Sequence, residues 1–308
     1  MKKLTCILLV MLMCCAMFTA CNQAGVSPTE TTEEVPTMDP NRPLSDGKTL
    51  KVLAVGNSFS DNTTDYLYDI AKAEGMTDIA IGRLYISGCT LATHLQNAQL
   101  NLTAYEYGKN TDGYWNMTQS VSMRQALQDE DWDIITVQQG SGTSGVASSY
   151  GDAAALVEYI NANKKNPNAR LVWHMTWAYQ QGSTNKAFPN YGSDQMTMYT
   201  AICDAVKEAI LPMKEFHSVI PTGTAIQNAR TSSMGDNLTR DTYHLNDLGK
   251  VIGSYTWYAA FTEKPLEKIS VDAVGKELVL TETDKAIIIE SVNNALQTPF
   301  AVTESVNK

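Results

Sequence analysis

Short apolar runs alternate along this chain with stretches of helical periodicity, and that alternation restricts the fold more than any other feature. Leu50-Lys51-Val52-Leu53-Ala54-Val55 is apolar at nearly every position, which suits a strand covered on both faces. Ile134-Ile135-Thr136-Val137 and Leu171-Val172-Trp173-His174-Met175 repeat the pattern, and weaker strand signals begin near Asp78 and at Ser218-Val219-Ile220. Between the runs, Leu67, Ile70 and Ala71 recur at helical spacing before Gly75. Residues 150–163, 196–211 and 245–262 extend as further helices, the second stopped by Pro212. Strands buried on both faces and separated by helices form βαβ units. The expected architecture is α/β, a three-layer α/β/α doubly wound sheet of about five parallel strands over residues 49–265.

In such a sheet, ligands bind beyond the carboxyl ends of the strands. Gly56-Asn57-Ser58-Phe59-Ser60 follows the first apolar run and precedes a helical pattern, so Ser58 falls on a strand-to-helix turn at that edge. Far along the chain, Asp241-Thr242-Tyr243-His244 supplies an acid and a histidine three residues apart. A serine hydroxyl is a poor nucleophile until a neighbouring base takes its proton, and that base needs a partner to fix its tautomer. The two segments together contain those groups. Each alone has a plainer use: Ser58 as a turn residue or helix N-cap, with Ser60, Asp61 and Thr63 competing for the cap, and Asp241 and His244 as a loop acid and a surface histidine.

The order Gly-x-Ser near the start and Asp-x-x-His near the end resembles the SGNH (GDSL-type) serine hydrolase superfamily over roughly residues 49–265, with Asn57 where that family often has Asp. The resemblance implies an SGNH/flavodoxin-like sheet, Ser58 as nucleophile, His244 as base and Asp241 as its orienting acid. It also implies an oxyanion hole built from the Ser58 amide and the Gly88 amide, since a glycine lets the main chain approach the reacting carbonyl. The family's third donor is the asparagine of a Gly-x-Asn block, and here Gly142 stands at that position. Some carbohydrate acetylesterases of the superfamily carry Gln-Gly at this strand end, which Gln139-Gly140 resembles, so Gln139 is the expected donor and Gln138 its competitor.

Beyond the fourth apolar run, His174-Met175-Thr176-Trp177-Ala178-Tyr179-Gln180 is rich in aromatic and polar side chains, and Trp177, Tyr179 and His174 are candidates to border the substrate. His94 and His217 have no partner pattern and are read as structural. No metal-ligand spacing occurs and no cofactor is implied.

Met1-Lys2-Lys3 followed by an apolar run through Ala20 has the form of a secretory signal over residues 1–20. Phe18-Thr19-Ala20-Cys21 resembles a lipoprotein signal box, which implies lipidation of Cys21 and a cell-envelope location outside the cytoplasm. Residues 21–48, with Pro28, Pro36, Pro40 and Pro43 among Thr, Glu and Asp, read as a tether of roughly 30 Å. Cys89 and Cys203 then remain, so the fold does not rest on a disulfide framework. The formal net charge is −10, and loss of Lys2 and Lys3 deepens it, which argues against a nucleic-acid partner. Residues 266–308 read as a small C-terminal appendage. The expectation as a whole is a surface-anchored serine esterase that removes acetyl or other short acyl groups from a glycan or small ester. The alternatives are a lipase or thioesterase for longer acyl groups and a noncatalytic glycan-binding lipoprotein.

Overall fold

The computed structural model describes residues 44–274 and 278–308. The signal segment, Cys21 and most of the tether lie outside them. The strands are β1 (Thr49–Gly56), β2 (Asp78–Tyr85), β3 (Tyr105–Asn110), β4 (Asn116–Val121), β5 (Ile134–Val137), β6 (Arg170–His174) and β7 (Phe216–Ile220), which form one seven-stranded sheet in the order β4-β3-β2-β1-β5-β6-β7. The helices are α1 (Ser58–Thr64), α2 (Leu67–Ala73), α3 (Leu91–Gln99), α4 (Met123–Asp129), α5 (Ala153–Asn163), α6 (Gln195–Ala209), α7 (Thr222–Arg230), α8 (Asp247–Thr262) and α9 (Glu282–Gln297).

The parallel part of the sheet is β2-β1-β5-β6-β7, which matches the five expected strands. The apolar runs form it because alternate side chains fill two different cores. Leu53, Val55, Ile135, Val137, Leu171 and Trp173 enter one cluster, while Leu50, Val52, Ala54, Ile134 and Val172 enter the other. A strand with both faces buried cannot show polar alternation, and these do not. The antiparallel strands β3 and β4 extend the sheet beyond the expectation. β4 is exposed along nearly its whole length, so Asn116, Thr118 and Gln119 carry no apolar signal.

From β1 the chain passes to β2 on one side and later to β5 on the other, so the strand order switches at β1. The carboxyl ends of β1, β2 and β5 therefore frame a crevice. Helix α8 lies against α1 with little space between them: Ser254 donates to the Thr63 carbonyl at 2.9 Å, and a Cβ at Gly253 would stand 2.9 Å from the Thr63 methyl.

Both expected outer boundaries move outward. Leu44 is buried, and Ser45 N–H donates to the Phe261 carbonyl at the end of α8 at 2.9 Å, so the domain begins ahead of residue 49. Residues 266–308 are no separate appendage. Helix α9 buries Ile287, Ile288, Val292 and Ala295, and Asn228 of α7 donates to Ser291 O and accepts from Thr303 N. Among the described residues no helix is long and apolar enough to cross a membrane.

The entry to α7 depends on one close approach. A Cβ at Gly223 would stand 2.3 Å from the Thr176 carbonyl oxygen, which is backbone and cannot step aside. Gly223→Ala is expected to destabilise the domain by ~2–3 kcal/mol in urea unfolding, whereas Gly151→Ala, which meets open space, should stay within ~0.5 kcal/mol of the parent. Equal midpoints for the two variants would contradict this packing.

Candidate active site

Strand β1 ends at Gly56, where a Cβ would stand 2.0 Å from Ser60 Oγ, so only glycine lets α1 begin this tightly. Asn57 caps the helix by accepting from Phe59 N–H at 3.0 Å. Ser58, the first helical residue, is half-buried, and its own N–H belongs to the helix start, where no intrahelical acceptor exists. Its Oγ lies 2.8 Å from His244 Nε2, and His244 Nδ1 lies 2.6 Å from Asp241 Oδ2. With the ring neutral, an Nδ1–H directed at the carboxylate leaves Nε2 as the acceptor facing the serine hydroxyl.

The loop that carries the histidine is held on several sides. Asp241 Oδ1 accepts from the backbone N–H of His244 at 2.8 Å and of Tyr243 at 3.3 Å. Partial burial pushes the Asp241 carboxyl up, but the bonds from His244 outweigh it and leave the group below the usual carboxylate range. Between the two residues Thr242 adopts φ +75°, a strained value for a β-branched side chain. Its carbonyl accepts from Gln180 N–H at 2.9 Å, and its hydroxyl meets that of Ser183 at 2.8 Å. Beyond the histidine, Leu245 N–H donates to Asn62 Oδ1 of α1 at 2.9 Å, which fixes the loop to the same helix that begins at the serine.

Gly88 lies in a turn over residues 86–89, closed by Cys89 N–H donating to Ile86 O at 3.2 Å. Its φ of +62° sets the direction of its exposed N–H, and among the described residues that N–H has no acceptor. Asn57 Nδ2 donates to the Cys89 carbonyl at 3.0 Å, and Gly140, just after β5, packs on the same carbonyl. The exits of β1, β2 and β5 are thereby brought together with Ser58 and Gly88 at the edge.

Gln139 does not fill the role expected of it. Its Nε2 donates to the carbonyl and hydroxyl of Ser149 at 2.7 and 3.0 Å, its Oε1 accepts from Leu91 and Gly140 N–H, and the residue is buried, so both amide hydrogens are spent on the loop. Gln138 is also buried: Nε2 donates to Asn57 Oδ1 at 2.9 Å, and Oε1 accepts from Ser60 Oγ and meets His174 Nδ1.

The three expected substrate contacts are corrected as well. Trp177 is fully buried, stacked on Phe59 at 4.1 Å, and donates its indole N–H to the Tyr243 carbonyl at 2.8 Å, so it supports the histidine loop from beneath. Tyr179 is 1% exposed, with its hydroxyl 2.9 Å from Ser141 Oγ. His174 is enclosed against Trp257, and burial pushes its imidazole down to about 3, which keeps it neutral. Aromatic residues that leave a strand have to be covered by something, and here the histidine loop covers them. Asn57, Asn62, Gln138 and Ser183 were not singled out for the roles they play. Their signal was limited to polar side chains adjacent in sequence to the strand ends. Two cavities of about 500 and 380 Å³ lie near the last turn of α8, and neither is lined by Ser58.

One turn after Ser58, burial pushes the Asp61 carboxyl up to about 6, with Arg83 at 4.0 Å pulling it back in part and Asp65 and Glu106 pushing it further. The folded chain therefore retains a proton that the unfolded chain loses from the ordinary value of 3.8 upward, so ionised Asp61 costs stability above pH 6 and nothing below 3.8. Asp61→Asn is expected to raise stability at pH 8 by up to ~3 kcal/mol, a gain that shrinks through the interval and vanishes at lower pH. Urea midpoints across that range test it; a pH-independent gain would exclude titration of Asp61 as its source.

Residues 51–282 match the family described as "Domain of unknown function (DUF4886)". A crystal structure of a DUF4886 family protein from Bacteroides uniformis ATCC 8492 is 40% identical, covers 83% of this chain and 98% of its own, and superposes with a TM-score of 0.75. More distant matches are TesA, at 14% identity over 69% of this chain and 98% of its own (TM-score 0.44), and a catalytic mutant of Axe2, an acetylxylan esterase from Geobacillus stearothermophilus, at 11% identity over 70% and 95% (TM-score 0.42). Comparison with curated proteins finds no match. With the family matched over residues 51–282 and a 40% identical relative covering 83% of the chain, the chain belongs to the DUF4886 family.

Proposed function

We propose that this chain is a serine esterase acting on acetyl or other short acyl esters. The observation that carries the reading is the continuous line from Ser58 Oγ through His244 to Asp241, with links of 2.8 and 2.6 Å. Ser58 Oγ attacks the ester carbonyl while His244 Nε2 takes its proton, and the resulting imidazolium is stabilised by the Asp241 carboxylate. The tetrahedral oxyanion is met by the N–H groups of Ser58 and Gly88. Collapse expels the alcohol, protonated by His244, and leaves an acyl-enzyme. A water activated by the same imidazole then releases the acid and restores the serine.

An exposed Gly88 and Ser87 beside a half-buried Ser58 leave this turn open to solvent, which supports a bulky ester such as an acylated carbohydrate. The expected test is a panel of nitrophenyl esters of rising chain length on protein lacking residues 1–21. Acetate should be the fastest, and Ser58→Ala or His244→Ala should lower kcat by at least ~10³-fold. Asp241→Asn should lose less, because the imidazole remains but its tautomer is no longer fixed. Rates that climb with chain length would indicate a lipase or thioesterase, and binding of glycan without turnover would indicate a lipoprotein that only binds.

The export and anchoring proposed for the chain rest on residues 1–21. Cys21→Ser is expected to abolish acylation and release the protein from membranes, as followed by metabolic labelling with a fatty-acid analogue and by fractionation. Acyl label that persists on this variant would refute the anchor.

A further inference from the structure

Asn57 stands between the two turns that carry the proposed oxyanion amides, and both ends of its carboxamide meet backbone groups whose roles are fixed. Phe59 N–H can only donate, at 3.0 Å, and the Cys89 carbonyl can only accept, at 3.0 Å. The side-chain oxygen must therefore face α1 and the nitrogen must face the Gly88 turn. That assignment propagates. The atom of Gln138 that meets Asn57 Oδ1 at 2.9 Å has to be nitrogen, so the other is oxygen, and His174 Nδ1, 3.0 Å from it, has to carry hydrogen. His174 is thus the Nδ1–H tautomer with a bare Nε2, and that atom is buried without a partner among the described residues.

The result is a line of donors all pointing the same way, from His174 at the end of β6 to Gln138 after β5, to Asn57 after β1, to Cys89 after β2. It crosses the carboxyl ends of four neighbouring strands in their spatial order. Asn57, Gln138 and His174 are each no more than 1% exposed, so water does not substitute for a lost link.

We propose that Asn57 is a positioning residue that sets the Gly88 turn against the Ser58 turn, so that the two N–H groups converge on one oxygen. Its catalytic consequence rests on the esterase reading of Ser58. In this chain asparagine supplies the donor that the Cys89 carbonyl meets, whereas an ionised aspartate would keep both bonds accepted by Oδ1 but present a second acceptor there.

Asn57→Asp replaces the donor facing Cys89 but also buries a carboxyl beside Ser58, so Asn57→Ser, which stays neutral, keeps an oxygen able to cap α1 and is too short to reach Cys89, is the deciding variant. Both are expected to lower kcat on nitrophenyl acetate by ~10- to 100-fold with KM within ~3-fold of the parent, as when transition-state stabilisation is lost without ground-state binding. A crystal structure of either variant should show the Cys89 carbonyl moved away from residue 57. A kcat within ~3-fold of the parent in a folded variant, or an unmoved Gly88 turn, overturns the proposal. If the parent itself lacks Ser58-dependent hydrolysis, the esterase reading falls, and the displacement of the turn decides the positioning role by itself.

Discussion

A parallel sheet brings all its strands to an end at one edge, where each leaves backbone groups that the ladder no longer pairs. In this molecule that edge is buried at β6, β5 and β1, and side chains bond to one another along it, His174 to Gln138 and Gln138 to Asn57, which in turn donates to the Cys89 carbonyl. The turn that carries Ser58 is hung from this line. Ser58 follows Asn57 directly, and Ser60 donates to Gln138 from the first turn of the helix that the serine begins. A buried polar network of this kind is costly if any member is unsatisfied, so it admits few alternative arrangements of the turns it joins.

The histidine loop is anchored independently. Thr242 occupies a strained backbone conformation, and such strain persists only where the surroundings over-determine it. Gln180, Ser183 and Trp177 of the loop after β6, together with Asn62 of α1, supply the restraint from two different segments. Asn62 matters most for geometry, because it belongs to α1 and so couples the position of Leu245 to the helix that starts at the serine. The distance between Ser58 and His244 is thus set where α1 meets the histidine loop, by a contact between residues far apart in sequence.

The parallel strands were legible in the sequence because a strand buried on both faces has to be apolar throughout. β3 and β4 were not, since an edge ribbon with a solvated face gives up that signal. Ser58, Asp241 and His244 could be picked out because their chemistry dictates residue type and local spacing. The glutamines could not be told apart, because both lie past the last ladder pair of β5, where alternation no longer fixes direction; the side chain that turned inward to the nucleophile turn was Gln138. Trp177 and Tyr179 looked like a border of the substrate site in one dimension. In three, the histidine loop lies over them, a long-range contact that no local pattern encodes.

Helix α8 begins at Asp247, next to the histidine, and ends where Ser45 joins the Phe261 carbonyl. At 1.5 Å per residue it separates these points by ~24 Å. The described chain consequently begins at the far end of α8 from Ser58, Asp241 and His244, so the two ends of this one helix keep the entry to the domain and the candidate site on opposite sides of the sheet edge.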